Sequence, residues 1–107
     1  MLMYKIAYQK HGKPGLCELC QKWHDKLEDH HVRYKPEIVC PSCHQCHFTA
    51  HYFPERLSHQ QKLILLHKVM SHDRAEEFLA KHSKDRVKLA LAFAPSRRDS
   101  IKNTQRL

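Results

Sequence analysis

Apolar positions in the first half of the chain come in short runs separated by turn residues, a pattern typical of β-strands. One run lies around residues 4–8 and precedes residues 12–15, where two glycines and a proline predict a turn. Two more strands are predicted over residues 26–34 and 37–41. Pro36 separates them, because proline fixes its own φ and keeps the preceding residue extended. The two later strands therefore predict a β-hairpin.

The spacing of apolar residues then lengthens to the period of a helix. A helix is expected from residue 42 or 44 to about residue 53, since the proline that follows cannot continue it. The S-x-x-Q sequence at 58–61 is a capping box that opens a helix to about residue 70. The D-x-x-E sequence at 73–76 predicts a second capping box and another helix.

A last helix is predicted over about residues 84–94, and its apolar residues lie nearly all round it. Such a helix is either enclosed by its own domain or pressed against a second copy of the chain. We favour the domain core, and a homodimer remains the alternative. The two apolar sides of the helix consist of Val87, Ala90, Leu91 and Ala94 and, opposite them, Leu89 and Phe93.

Length and cysteine content favour a small domain stabilised by metal. A chain of 107 residues forms one small domain whose core is marginal, and small scaffolds of this kind usually need a metal or disulfides. Five cysteines, an odd number, argue against a set of disulfides, and the eleven histidines among them favour metal binding in a reducing compartment. No signal peptide and no apolar run of membrane-spanning length is present, so we expect a cytoplasmic protein without a membrane partner.

The net charge of +8 favours a polyanionic partner, most often nucleic acid. A basic surface that merely faces solvent would give the same charge, so charge alone leaves both interpretations open. The cysteine and histidine pattern favours the nucleic-acid interpretation.

Two C-x-x-C pairs about 20 residues apart are typical of a structural zinc site. The first pair is Cys17 and Cys20, but the second has two alternatives because Cys40, Cys43 and Cys46 are evenly spaced. The Cys43/Cys46 alternative alone is followed by two histidines that share one face of a helix. We therefore predict that Cys17, Cys20, Cys43 and Cys46 bind zinc and that Cys40 is a small strand residue.

Four histidines then remain for chemistry: His30 and His31 on the hairpin, and His47 and His51 on the helix. Adjacent residues of a strand point to opposite faces, so His30 and His31 have different roles, one as a metal ligand and one as a base. A neutral imidazole, with a pKa near 6.5 in peptides, can accept a proton from water at cellular pH. A bound divalent cation would neutralise a scissile phosphate.

This arrangement resembles the HNH endonucleases of the ββα-metal (His-Me finger) class, and in particular the zinc-bearing forms of phages and mobile elements. The resemblance covers about residues 15–55. It implies an α+β fold, a zinc-stabilised ββα-metal finger followed by a mainly helical C-terminal region. It also implies hydrolysis of DNA with Mg²⁺, Mn²⁺ or another divalent metal as the catalytic cation. It rests on Cys17-x-x-Cys20, on Asp29-His30-His31-Val32-x-Tyr34-x-Pro36-Glu37, and on Cys43-x-x-Cys46-His47-x-x-x-His51.

The resemblance also implies roles for individual residues. His31 would be the general base that activates water, and His30, His47 and His51 would hold the catalytic cation. The asparagine that braces the base in the family is missing, because the single asparagine here is Asn103 in the tail. Tyr34 or Glu37 would take over that bracing role.

Three segments follow from these predictions: the zinc-bound core at 1–55, a helical extension at 56–94 packed on the core or at a dimer interface, and a basic tail at 95–107. Two other functions share the scaffold: a non-catalytic zinc-containing DNA-binding module, and an adaptor whose last helix binds a protein partner. In the DNA-binding interpretations, phosphate contacts are expected from the basic residues Arg33, Lys35, Arg56, Arg97 and Arg98.

Overall fold

An antiparallel sheet of three strands, in the order β1-β2-β3, forms the first half of the computed structural model, which describes residues 12–95. The strands are β1 (Lys13–Leu16), β2 (Trp23–Tyr34) and β3 (Glu37–Ser42). The hairpin predicted on either side of Pro36 is confirmed as β2 and β3. The strand predicted around residues 4–8 and most of the tail, with Arg97 and Arg98, lie outside the described residues.

The turn predicted at residues 12–15 is wrong, because Lys13–Leu16 is the strand β1. Its residues pair with β2, with Lys13 opposite Leu27 and Leu16 opposite Trp23. Gly15 allows close packing in this strand, since a Cβ at this position would lie 3.0 Å from Leu27 Cδ1 and that side chain would have to shift. Pairing with a long neighbouring strand thus outweighs the local turn preference of glycine and proline.

Four α-helices follow the sheet: α1 (His44–Tyr52), α2 (His59–Leu66), α3 (His72–His82) and α4 (Arg86–Phe93). Pro54 ends the continuous α1 helix as predicted and begins a short 3₁₀ helix, Pro54–Arg56. The whole is a small α+β fold. In the part of the chain that the structure describes, no helix is long and apolar enough to cross a membrane.

The helix N-termini confirm one predicted cap and correct another. The capping box of Ser58 and Gln61 is present at the start of α2. The box predicted at residues 73–76 is wrong, because Ser71 caps α3 and accepts a hydrogen bond from the Arg74 N–H at 3.4 Å. A serine hydroxyl two residues upstream supplies the cap, so Asp73 lies in the first turn instead.

α4 buries one of its two apolar sides. Leu89 and Phe93 are fully buried, whereas Val87 and Leu91 are 66% and 47% exposed. The buried side joins one continuous cluster of apolar side chains that extends from Cys17 next to the sheet to the end of α4. The helices and the metal-binding segment therefore share a single core.

Candidate metal centres

Four cysteines come together where the ends of the hairpin meet. Cys17 and Cys20 lie in the turn between β1 and β2, and Cys43 and Cys46 lie at the start of α1. Their ligand atoms all lie within 4.8 Å of one another. Zinc bound tetrahedrally at about 2.3 Å from each sulfur needs sulfurs about 3.8 Å apart, so this cluster could hold a zinc ion after small side-chain adjustments.

The backbone supports each cysteine pair in the same way. The Cys20 N–H donates to Cys17 Sγ at 3.3 Å, and the Cys46 N–H donates to Cys43 Sγ at 3.4 Å. Burial alone would raise the pKa of the Cys17 thiol, but backbone N–H groups, led by that of Cys20, lower it overall. These donors therefore favour the thiolate form that zinc requires.

Cys40 lies outside the cluster, as predicted, on β3. Its side chain is fully buried, and its Sγ lies 3.7 Å from Glu18 Oε1. Burial, with the negative charge of Glu18, raises the pKa of Cys40 to about 12, so this residue stays a thiol. The second C-x-x-C pair of the cluster is therefore Cys43 and Cys46, and not Cys40 and Cys43.

Three histidines form a second cluster in the described part of the chain. His30 of β2 meets His47 and His51 of α1, and one nitrogen of each lies within 4.8 Å of the others. The Nε2 atoms of His47 and His51 are 3.1 Å apart. Two nitrogens bound to one cation at about 2.0–2.2 Å lie about 3.0–3.4 Å apart, so the spacing of this pair fits a shared metal ion.

His30 presents an unsatisfied nitrogen to this cluster. Its side chain is fully buried, and its Nε2 lies 2.6 Å from the Phe93 carbonyl oxygen. A carbonyl can only accept, so Nε2 carries the hydrogen and Nδ1 keeps its lone pair. Within residues 12–95, Nδ1 is buried without a hydrogen-bond partner. Because such an atom is costly to bury, a cation between the three histidines would satisfy it.

Burial lowers the pKa of His30 from 6.5 to about 3, and the nearby charges of His51 and His47 act in the same direction. His30 is therefore neutral at cellular pH, the form that binds metal. The unfolded chain binds a proton at His30 more readily than the folded protein does, because the pKa of His30 is lower in the folded state. The stability that comes from keeping His30 neutral is thus fully present above pH 6.5, and it is lost as the pH falls toward about 3.

Glu28 contacts the histidine cluster through His47, a role that is not predicted from the cysteine and histidine pattern. Its Oε1 lies 2.8 Å from His47 Nδ1, and its Oε2 lies 3.0 Å from His44 Nδ1. Burial tends to raise the pKa of Glu28, but hydrogen bonds from His47 and His44 lower it overall. A carboxylate on Nδ1 directs the lone pair of His47 Nε2 toward the cluster. The available signal was the strand period, since Glu28 lies two residues before His30 on the same face of β2.

We expect Glu28→Gln to weaken divalent metal binding at the histidine cluster by about 10- to 100-fold, because the amide orients His47 less firmly. Titration of the zinc-loaded protein with Mn²⁺, followed by electron paramagnetic resonance, measures this change. Glu76→Gln is the matched control, since Glu76 makes a similar contact to His59 at 2.9 Å on exposed helical surface. Equal Mn²⁺ affinity in both variants would contradict the role given to Glu28.

His31 lies beside the histidine cluster but is not one of its members. Its Nε2 is 2.8 Å from Glu37 Oε2, and its ring stacks on Tyr34 with centroids 4.4 Å apart. The charge of His31, when protonated, contributes to lowering the pKa of His51, after burial and the charge of His47. The histidine doublet is therefore divided as the strand alternation predicts, with His30 in the cluster and His31 outside it.

The basic residues predicted to contact DNA are spread over several elements. Arg33 is exposed on β2, and Lys35 is exposed in the following turn. Arg56 is exposed at the end of the 3₁₀ helix, with its Cζ 4.5 Å from the centre of the Phe53 ring. Arg97 and Arg98 belong to the residues that the structure does not describe.

Comparison of the chain with protein-family models, with curated proteins and with solved structures found no match.

Proposed function

We propose that this protein is a metal-dependent DNA endonuclease of the ββα-metal type, with a structural zinc on its four clustered cysteines and a catalytic divalent cation on His30, His47 and His51. The observation that carries the proposal is the Nδ1 of His30, which is buried and unpartnered within residues 12–95 and whose ring lies 5.2 and 4.8 Å from the rings of His47 and His51. Buried polar atoms in folded proteins usually have a hydrogen-bond partner, so an unsatisfied acceptor beside two imidazoles favours a bound ligand.

The outer nitrogens of the cluster support a metal-binding role. Nε2 of His30 is bonded to the Phe93 carbonyl, and Nδ1 of His47 is bonded to Glu28. Metal-binding histidines almost always hold their second nitrogen in this way, on a carbonyl or a carboxylate. A divalent cation bound there would neutralise the scissile phosphate and stabilise the leaving oxygen.

His31 is assigned the role of general base. Its Nε2 donates to the Glu37 carboxylate, which leaves Nδ1 to accept a proton from the attacking water. Glu37 and the stacked Tyr34 hold the ring in place, so together they replace the asparagine of the related nucleases. The exposed Arg33 and Lys35, which follow His31 along the chain, are suited to phosphate contacts.

The test combines metal counting with a plasmid-nicking assay. The zinc-loaded protein is expected to bind one further Mn²⁺ per chain and to nick supercoiled DNA only with Mg²⁺ or Mn²⁺. His47→Ala and His51→Ala should lose both the second metal and nicking but keep the zinc. His59→Ala, which replaces a surface histidine of α2, is the control and should keep all three properties.

The same assay identifies the alternative. DNA binding with zinc present but no cleavage in any divalent metal would reject the endonuclease and leave a zinc-containing DNA-binding module. The absence of DNA binding would reject both interpretations.

A further inference from the structure

α1 carries a row of aromatic side chains beside the histidine cluster. We call Phe48, Tyr52 and Phe53 the aromatic ridge. Phe48 and Tyr52 are 48% and 60% exposed, and their rings lie 4.7 Å apart. The Phe53 ring lies 6.2 Å from that of Phe48. Neighbouring exposed aromatic rings of this kind indicate a binding surface more often than isolated ones do.

The ridge follows directly from the placement of the metal-binding histidines. Phe48 and Tyr52 each come one residue after His47 and His51, so they lie about 100° further round the same helix. The Tyr52 ring is 6.3 Å from the ring of His51. A nucleic-acid strand whose phosphate lies at the histidine cluster would therefore have Tyr52 within reach of a neighbouring base.

Positive charge lies at the Phe53 end of the ridge. The guanidinium groups of Arg56 and Arg86 lie 4.5 and 5.0 Å from the centre of the Phe53 ring. Arg86 also forms an ion pair with Glu55 at 2.6 Å, whereas Arg56 is exposed at the surface. Proteins bind single-stranded nucleic acid with aromatic rings that stack on the bases and with positive charge that contacts the phosphate backbone. The ridge and Arg56 provide both features.

We propose that the aromatic ridge stacks on unpaired bases of the DNA next to the cleaved phosphate, so that the enzyme selects DNA with a single-stranded segment. Rings can stack only on base faces that are free, and in a duplex these faces are covered by neighbouring base pairs. This inference rests on the proposed function, because it takes the histidine cluster as the place where DNA is cut.

The experiment measures binding separately from cleavage. The zinc-loaded protein without Mg²⁺ or Mn²⁺ is mixed with a fluorescein-labelled single strand of about 20 nucleotides, or with the duplex of the same sequence, and anisotropy gives each Kd. Phe48→Ala with Tyr52→Ala should weaken binding of the single strand by about 10- to 100-fold. The duplex Kd should change by less than about threefold, since duplex binding depends mainly on phosphate contacts.

The control exchanges the two rings, Phe48→Tyr with Tyr52→Phe, and should keep the wild-type Kd for the single strand. Mn²⁺ binding and the melting temperature of both double variants report whether the cluster and the fold are intact. Equal losses on single strand and duplex would overturn the proposal, as would unchanged single-strand binding in the alanine variant. A dimer that the alanine variant dissociates would also overturn it and assign the ridge to self-association.

These results are distinguishable from a failure of the proposed function. Metal-dependent nicking with unchanged single-strand affinity in the alanine variant would reject the ridge alone. Selective loss of single-strand binding in a protein that never cleaves would support the ridge as a base-stacking surface, while rejecting the cleavage chemistry.

Discussion

Removing the structural zinc should unfold the protein. We expect a strong chelator, or Cys17→Ser or Cys43→Ser, to abolish cooperative thermal unfolding followed by circular dichroism. Both cysteines are buried in the core, at 0% and 5% exposure, and each belongs to a different half of the cluster. A zinc ion on this cluster would therefore connect the turn before β2 to the start of α1, across the whole hairpin.

The expected loss of stability is large because the domain is small. Structural zinc binding contributes about 10–16 kcal/mol in zinc-finger peptides at neutral pH. Net stabilities of folded domains are only about 5–15 kcal/mol. Losing the zinc thus removes as much free energy as a domain of this size has in total.

Cys40→Ser provides the control, because Cys40 is equally buried but lies outside the cluster. This variant should keep one zinc per chain by elemental analysis and unfold cooperatively at a modestly lower temperature. Retention of a wild-type melting curve by zinc-free protein would contradict the structural role of the metal.

The cluster of four cysteines and the α+β fold class could be predicted from local sequence, because C-x-x-C spacing and helical period are local properties. His47 and His51 are four residues apart, which is about one helical turn, so their shared face was also predictable. The role of Gly15 could not be predicted in this way, because it depends on contact with Leu27 of a neighbouring strand. The cap of α3 was misplaced because serine and aspartate are both good N-cap residues.

The support of His30 could not be predicted from sequence at all. Its Nε2 is bonded to the carbonyl of Phe93, 63 residues away, where α4 ends. A backbone carbonyl leaves no trace in the amino-acid pattern, and only the packing of α4 on the sheet decides which one approaches. The helical extension, which lies outside the resemblance, therefore helps to orient one histidine of the three-histidine cluster.

His31→Ala should reduce the rate of plasmid nicking by about 10²- to 10⁴-fold, the usual contribution of a positioned general base. His31 lies outside the histidine cluster, so the variant should keep the zinc and the second metal. A loss of activity with full metal occupancy separates a base from a metal ligand, because His51→Ala should lose the metal as well.

Chemical rescue makes this prediction specific. In His31→Gly, removal of the ring leaves space between Tyr34 and Glu37, the two residues that stack on it and bond to it. Added imidazole should therefore restore part of the nicking rate in the glycine variant, with a dependence on imidazole concentration that saturates. The same imidazole should not restore His51→Ala, whose defect is the missing metal. Nicking at the wild-type rate by His31→Ala would remove His31 from the mechanism, and the water would then need another base.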